Sequence, residues 1–358
     1  MTRILHVIPE LTGGGAERQL TLLAAAQSAR GHHVHIAVLR GETPVDLAKS
    51  GVKVHVLRVS SHVDPRIIWR YRSLIRDTRA EIVQTWLTMP DVTAGVAAVM
   101  TDTPWVLSER SMARQYPPNW KNNARAHMAK NAGAIVANSR AGVEYWLSRG
   151  IPNERLVEIP NAVDVASLGD EVRPALPSAW EHRPIVMFAG RLSEEKNPFV
   201  MVDALAQALR GTPAIALLCG AGPLQPEVAR RIETLGASEF IVMLGVRQDV
   251  YALLKRAQLC VAVSRHEGSP NVVLEAIAAE CPLVVSDISA YRQLLSDETA
   301  RFAPVDDIAA IAQAIIEMLG DPEAAHRRAV LARARSRTLS PNDAAVELDT
   351  VYRKLLRS

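Results

Sequence analysis

Leu259-Cys260-Val261-Ala262-Val263-Ser264-Arg265-His266-Glu267-Gly268-Ser269-Pro270-Asn271-Val272-Val273-Leu274-Glu275-Ala276 reads as a strand, a loop and a helix in direct succession. The opening run is short, apolar and β-branched, as in a strand buried on both faces of a parallel sheet. Gly268-Ser269-Pro270-Asn271 is a tight loop that opens a helix. Glu267 therefore stands at the carboxyl end of the strand, and Glu275, eight positions on, projects from the first turns of the helix. Backbone N–H groups at such a helix start favour an anion. Carboxylates that accept from hydroxyls, beside amides that hold phosphate, suit a nucleotide-sugar. Taken alone, the two glutamates would also pass for a loop acid and an exposed helix acid, so their neighbours have to decide.

Working outward, the same strand–helix rhythm fills the chain. Strands at 185–189, 214–219 and 241–244 precede the quoted stretch, with helices near 198–210 and 225–235; a strand at 283–286 and helical segments follow it. The first half repeats the rhythm with strands at 3–8, 34–39, 52–59, 82–85, 105–108 and 134–137, and helices at 15–30, 65–79 and 141–149. Between 164 and 184 the pattern lapses into Pro-containing, charge-mixed sequence, as a linker would. A chain of 358 residues is long for one domain and natural for two. The expected architecture is α/β, with two Rossmann-like domains at 1–165 and 184–341, a linker at 166–183, and 342–358 packing back on the first domain. Ligands in such folds bind at the carboxyl ends of the strands, where the quoted loop falls.

Composition excludes several classes. No apolar run reaches the roughly 18 residues of a membrane span. The first apolar stretch, Ile4-Leu5-His6-Val7-Ile8, is too short for a signal-peptide core and runs into Pro9 and a glycine loop. Cys219, Cys260 and Cys281 lie in apolar segments without metal-ligand spacing, as reduced core residues of a cytoplasmic protein would. Residues 1–165 hold 20 Lys and Arg against 14 Asp and Glu, net +6; the remainder holds 21 against 24, net −3. A basic first half points to an anionic partner. Nucleic acid does not fit, because aromatics make up only 4% of the chain and do not interleave the basic residues.

The remaining motifs are modest one by one. Gly13-Gly14-Gly15-Ala16-Glu17 follows the first strand and opens a helix, letting backbone approach a ligand. It is not the dinucleotide fingerprint, and no acidic residue closes the second strand about 20 positions on, which argues against an NAD-dependent oxidoreductase. Gly190-Arg191-Leu192-Ser193-Glu194-Glu195-Lys196-Asn197 follows the strand at 185–189. Arg191 as a fork and Lys196 as a point charge can converge on one diphosphate, although a solvated cluster with Glu194 and Glu195 would look the same. Gly220-Ala221-Gly222-Pro223 reads as a loop beside a nucleotide, and the backbone of Gly245, Val246 and Arg247 as a reader of a base edge. Each is a turn first and a site second.

Together with Asn138-Ser139 and Pro160-Asn161-Ala162-Val163-Asp164, these landmarks, in their order and spacing, resemble glycosyltransferase family 4, the retaining GT-B-type enzymes, over nearly the whole chain. Ser108-Glu109-Arg110 and the Glu267 loop are similar to the branch that builds bacterial surface polysaccharides and lipid-linked oligosaccharides. The resemblance implies a GT-B fold, two Rossmann-like domains facing each other across a cleft. It implies that Glu275 accepts from donor ribose hydroxyls and that Glu267 faces the transferred sugar. Arg191 and Lys196 would hold the diphosphate and stabilise the leaving nucleoside diphosphate. The stretch Gly268, Ser269, Pro270, Asn271 and Val272 would add backbone amides to this clamp, and Gly15, Gly190, Gly245, Val246 and Arg247 complete the donor set. Gly14, Glu109, Arg110, Arg114, Lys121 and Arg125 form the expected acceptor set. No metal or other cofactor is implied beyond the nucleotide-sugar itself.

Retention by double displacement needs a second carboxylate as nucleophile. None is credibly placed, so the family implication is front-face attack, in which the leaving phosphate oxygen takes the acceptor proton. His266 and His127 do not become bases without geometry. The helix at 65–79 carries Arg66, Arg70, Arg72, Arg76 and Arg79 with Ile67, Ile68 and Trp69, a basic amphipathic pattern suited to an anionic membrane surface. The expected partners are thus a UDP-sugar, a glycan or polyprenyl-diphosphate-linked acceptor, and the inner face of the cell membrane, bound peripherally. GDP-mannose is the alternative donor, a soluble acceptor the alternative to the lipid. A nucleotide-sugar epimerase shares the fold but needs acid/base residues that the chain does not display, and a non-catalytic homologue could dispense with Glu267.

Overall fold

The computed structural model describes the chain except residues 12–13, 42–44, 60–63, 111–118, 164–175, 181, 248, 337–339 and 358 and the side chains of 45 and 46. It divides into two compact units, Met1–Ala162 with Leu339–Ser358, and Val163–Thr338.

The first unit runs β1 (Arg3–Val7), α1 (Gly15–Ala29), β2 (His33–Val38), α2 (Val45–Lys49), β3 (Lys53–Val56), α3 (Arg66–Thr78), β4 (Ile82–Trp86), α4 (Thr88–Val99), β5 (Trp105–Glu109), α5 (Trp120–Met128), β6 (Ala134–Ala137), α6 (Arg140–Ser148) and β7 (Leu156–Glu158). Its seven strands are parallel in the order β3-β2-β1-β4-β5-β6-β7. The second unit runs β8 (Ile185–Ala189), α7 (Pro198–Leu209), β9 (Ile215–Cys219), α8 (Gln225–Thr234), β10 (Ile241–Gly245), α9 (Val250–Arg256), β11 (Leu259–Ala262), α10 (Asn271–Ala278), β12 (Leu283–Ser286), α11 (Ser289–Arg292), β13 (Arg301–Ala303), α12 (Ile308–Gly320) and α13 (Pro322–Arg335). Its six parallel strands follow the order β10-β9-β8-β11-β12-β13. Each order reverses once, between β1 and β4 and between β8 and β11, and ligands of doubly wound sheets bind at that reversal.

The central strands are buried along their full length, with helices on both faces, which is why they read as apolar runs. The edge strands β7 and β13, three residues each, leave no such run and were not in the sequence reading. The last helix, α14 (Pro341–Leu355), starts at a Ser340–Asp343 capping box and lays Ala344, Ala345, Leu348, Val351 and Tyr352 into the core of the first unit against α1. Its Tyr352 hydroxyl donates to Gln84 of β4 and accepts from Gln27 of α1, and Gln27 in turn meets the buried His6 of β1. Burial pushes the His6 pKa down to about 4, so the ring is neutral and serves as a hydrogen-bond link. Of the stretch read as a linker, Leu176 and Trp180 already pack against the second unit's core. Val163, expected within the first domain, belongs to the second unit and sits among Tyr251, Leu274 and Ala278.

Candidate active site

The loops that follow β8, β9 and β10 are tied to one another through their backbones. Gly190 N–H donates to Cys219 O at 2.9 Å, Gly220 N–H to Gly245 O at 2.7 Å, and Leu192 N–H to Ala221 O at 3.0 Å. A Cβ on Gly220, whose φ is +134°, would stand 1.9 Å from the Gly190 carbonyl oxygen, and one on Gly222 2.3 Å from that of Leu192. These glycines are therefore first of all a close backbone junction at the carboxyl edge. The Gly190 amide and the Gly245 carbonyl are used within it rather than presented to a ligand. Beyond Gly245, Val246 is exposed, and Arg247 is held by both oxygens of Asp249 at 2.8 and 2.6 Å.

After that junction the chain turns Lys196 toward β11. Residues Glu194–Lys196 make one 3-10 turn, in which Ser193 Oγ donates to Glu195 Oε1 at 2.6 Å. Asn197 follows in the left-handed region (φ 55°), and its amide donates to Val305 O and Asp306 Oδ1, both at 3.0 Å. Pro198 then opens α7. The loop after β11 is stitched to this turn by Arg265 N–H donating to Glu195 O at 2.8 Å. Lys196 Nζ consequently lies 2.5 Å from Glu267 Oε1, at the β8/β11 reversal.

Glu267 is buried, and its environment is asymmetric. Oε1 takes Lys196 at 2.5 Å and Ser264 Oγ at 2.7 Å, with the Tyr291 hydroxyl at 3.4 Å. Oε2 has no hydrogen bond among the described residues and is not an enclosed atom, so it remains open for a ligand hydroxyl. Glu275 is also buried, in the second turn of α10, beside Cys260, whose thiol is pushed up to about 12 by burial and then by this carboxylate. No side chain caps the start of α10, where the amides of Asn271 and Val272 begin the helix. Arg191 is exposed and makes no ion pair among the described residues. The structure thus brings Lys196 onto Glu267, whereas the sequence pairs Lys196 with Arg191. Ser264 and Tyr291, which orient the carboxylate, were not in the expected set. Tyr291 lies 24 positions from Glu267 on a separate helix, and no local motif marks it.

In the first unit the expected acceptor set divides. Glu109 and Arg125 are both closed off: Arg125 Nη1 lies 3.0 Å from Glu109 Oε2, its Nε 2.6 Å from Asp91 Oδ2, and Trp146 Nε1 donates to Glu109 at 2.9 Å. The triad is a core brace between β5, α4 and α5, which corrects the expectation that these two side chains meet an acceptor. Arg110 stacks over Trp86 at 4.3 Å and donates to Asn161 Oδ1 at 3.0 Å. Burial lowers its pKa to about 10. It stands at the end of β5, next to the β1/β4 reversal, where Leu87 adopts φ 73°, a strained conformation for a branched side chain. Gln19 of α1 pins the neighbouring segment by bonding both the N–H and the C=O of Ala162 at 2.8 and 2.9 Å. Gly14 caps α1, and the Glu17 carboxylate fills the space where its Cβ would stand; Gly15 is exposed. Lys121 is exposed beside the exposed Trp120, and Arg114 lies outside the described residues. His266 is half-buried and His127 exposed.

Two parallel doubly wound units are the makings of a GT-B fold, and the solved structures agree on that fold. HepE from Anabaena in complex with UDP and glucose is 17% identical with a TM-score of 0.85, covering 99% of this chain and 100% of its own. A glycosyltransferase from Rickettsia africae is 20% identical with a TM-score of 0.84, covering 100% and 99%. The family model described as Glycosyltransferase Family 4 matches residues 13–167, and that of Glycosyl transferases group 1 matches 183–321. The chain belongs to glycosyltransferase family 4. Among its relatives is a Campylobacter jejuni alpha-1,4-N-acetyl-D-galactosaminyltransferase named for a GalNAc-GalNAc-diNAcBac-PP-undecaprenol, 24% identical over 90% of both chains. A second C. jejuni enzyme, an N-acetylgalactosamine-N,N'-diacetylbacillosaminyl-diphospho-undecaprenol 4-alpha-N-acetylgalactosaminyltransferase, is 24% identical over 94% of this chain and 95% of its own. A Mycobacterium tuberculosis GDP-mannose-dependent phosphatidylinositol dimannoside mannosyltransferase is 26% identical over 90% and 88%.

Proposed function

We propose that this glycosyltransferase moves a hexose or N-acetylhexosamine from a UDP-sugar to a polyprenyl-diphosphate-linked glycan, with retention at the anomeric carbon and without a metal or other cofactor, in cell-surface glycan assembly. The observation that carries this reading is the Lys196–Glu267 pair at the β8/β11 reversal, with one carboxylate oxygen open. The open oxygen accepts a hydroxyl of the transferred sugar. Lys196 and the exposed Arg191 neutralise the departing diphosphate, the largest charge formed in the transition state. The α10 amides add to that clamp, and Glu275 holds the ribose. With no second carboxylate placed as a nucleophile among the described residues, the leaving phosphate oxygen takes the acceptor proton on the same face. The acceptor class is supported by the two C. jejuni relatives that align along nearly their full length. Of the expected acceptor set, Arg110, at the carboxyl edge of the first sheet, and Lys121 are the basic groups among the described residues that are left for an acceptor's diphosphate.

The enzyme works at the cytoplasmic face of the membrane and binds it peripherally. Among the described residues no helix is long and apolar enough to cross a membrane, while α3 buries Ile67, Tyr71, Leu74 and Ile75 and exposes Arg66, Trp69, Arg70 and Arg76. A GDP-mannose donor is the second reading, favoured by the mannosyltransferase relative.

The test is a donor screen by released nucleoside diphosphate, with and without a polyprenyl-diphosphate-linked glycan, in the presence and absence of EDTA. Acceptor-dependent UDP release that survives EDTA, with an α-linked product from an α-linked donor, is the expected result. GDP release from GDP-mannose alone reverses the donor assignment, and loss of turnover in EDTA overturns metal independence.

A further inference from the structure

One carboxylate oxygen of Glu267 is faced by three donors, and they are not equivalent. An oxygen of this kind offers two lone pairs. Lys196 at 2.5 Å and Ser264 at 2.7 Å fill them, and Tyr291 stands off at 3.4 Å, beyond an ordinary O–H···O bond. The three also differ in freedom. Tyr291 is fully buried among Cys260, Val285 and Leu295, and Ser264 lies at the end of the β11 run, its carbonyl taken by Ser286 Oγ at 2.5 Å. Lys196 reaches Glu267 from a surface turn, with its side chain 20% exposed on a flexible four-carbon stem. Burial, and then Glu267 itself, push the Tyr291 phenol well above its ordinary range, so it is a donor at every working pH.

We propose that Tyr291 is a positioning residue for sugar transfer: it replaces Lys196 on Glu267 Oε1 when Lys196 moves to the donor diphosphate, while Ser264 holds the carboxylate throughout. This rests on the assignment of Glu267 to the sugar and Lys196 to the diphosphate. A diphosphate carries more charge than one carboxylate and draws the lysine away. A buried carboxylate that lost one of its two strong donors without replacement would rotate or leave its aimed position. The Tyr291 hydroxyl, less than 1 Å too far at 3.4 Å, closes that gap and keeps Oε2 directed at the sugar hydroxyl.

The experiment compares Tyr291→Phe, Ser264→Ala and Ser264→Thr with the parent in the full chain, using UDP-N-acetylgalactosamine, UDP-glucose and GDP-mannose as donors. Since a hydrogen bond to a charged group is at stake, kcat should fall about tenfold in Tyr291→Phe and about tenfold to a hundredfold in Ser264→Ala. Donor KM and the Kd of the nucleoside diphosphate should stay within about threefold, because uniform binding is untouched. Ser264→Thr should restore most of the rate, and in a Glu267→Ala background Tyr291→Phe should cost nothing further. Parent-like kcat in Tyr291→Phe, or an undiminished loss in the Glu267→Ala background, overturns the proposal. Parent-like turnover in Glu267→Ala instead overturns the assignment on which it rests. A structure of the UDP or GDP complex gives an activity-independent reading: Lys196 off Oε1 with Tyr291 at about 2.8 Å supports the exchange. Lys196 still on Oε1 with Tyr291 unmoved refutes it.

Discussion

Glu267 and Glu109 look alike in sequence, each a glutamate at the end of an apolar strand with basic residues close by, yet the two units use them in opposite ways. Glu267 is anchored through one oxygen by a partly exposed lysine and a serine, and its other oxygen stays open. Glu109 is sealed by Arg125 and Trp146, and Arg125 is itself shared with Asp91, all with essentially no exposure. A buried charge held between enclosed partners serves specificity of packing, and removing one partner leaves the other stranded. A carboxylate anchored on one side only is oriented and still free to act. Position at a strand end is therefore not enough to assign a site. What separates the two is access: Glu109 is wholly enclosed, whereas Glu267 keeps an oxygen that is neither bonded among the described residues nor enclosed.

Mutation of Lys196 gives the largest contrast. Lys196→Ala should lower turnover by about two to three orders of magnitude, because it removes charge stabilisation that grows toward the transition state, while the melting temperature barely moves. Turnover near that of the parent would end the comparison, since Glu267 would then sit in no functional pair. The counterpart in the first unit is Arg125→Ala. It should destabilise the chain by about 3–5 kcal/mol in urea unfolding by taking the guanidinium away from two buried carboxylates. A variant of unchanged stability and raised acceptor KM would return Arg125 to the acceptor site.

The same triad should show itself in pH dependence. Burial raises the Asp91 carboxyl from 3.8 to about 6 against the pull of Arg125. As pH rises from about 4 to 6, the unfolded chain releases this proton first, so Asp91 makes the folded state progressively less stable until both states are ionised. Relative to Asp91→Asn, the parent should therefore lose up to about 3 kcal/mol across that window and nothing above it. The neutral His6, with its pKa lowered to about 4, works in the opposite direction, which is why the difference between variants is the quantity to measure. A difference that does not change with pH would mean that Asp91 is ionised throughout.

The smallest effect concerns the surface of the first unit. Neutralising Arg66, Arg70 and Arg76 together should weaken cosedimentation with anionic liposomes by about 1 kcal/mol per residue, relieved by salt, and leave UDP affinity intact. Arg66 is already tied to Asp64 and Arg70 to the Leu57 carbonyl, so Arg76 should contribute most. Absence of liposome binding at low salt would move the acceptor from the membrane into solution.

The legible part of the site is the part whose signal is local. The Glu267 loop and the Lys196 loop each follow a buried strand that announces itself by a continuous apolar run, and each carries its functional side chain within a few positions of the strand end. Glu109 and Arg125 were misread for the complementary reason: a Glu and an Arg 16 positions apart give no sign of whether they face solvent or each other. The glycines at 220 and 222 were legible as a turn but not as a backbone junction imposed by neighbouring carbonyls.

Periodicity, strand composition and loop chemistry, all carried by neighbours along the chain, thus suffice for two doubly wound units, for the residues at their strand ends and for the family. Strand order does not follow from them. Lys196 and Glu267 are 71 positions apart and meet only because β8 and β11 lie side by side, and Tyr291 joins them only because β12 is next in that sheet. Which carboxylate is left with an open oxygen depends on the burial and hydrogen bonds supplied by those distant elements, and that was decided by the tertiary structure alone.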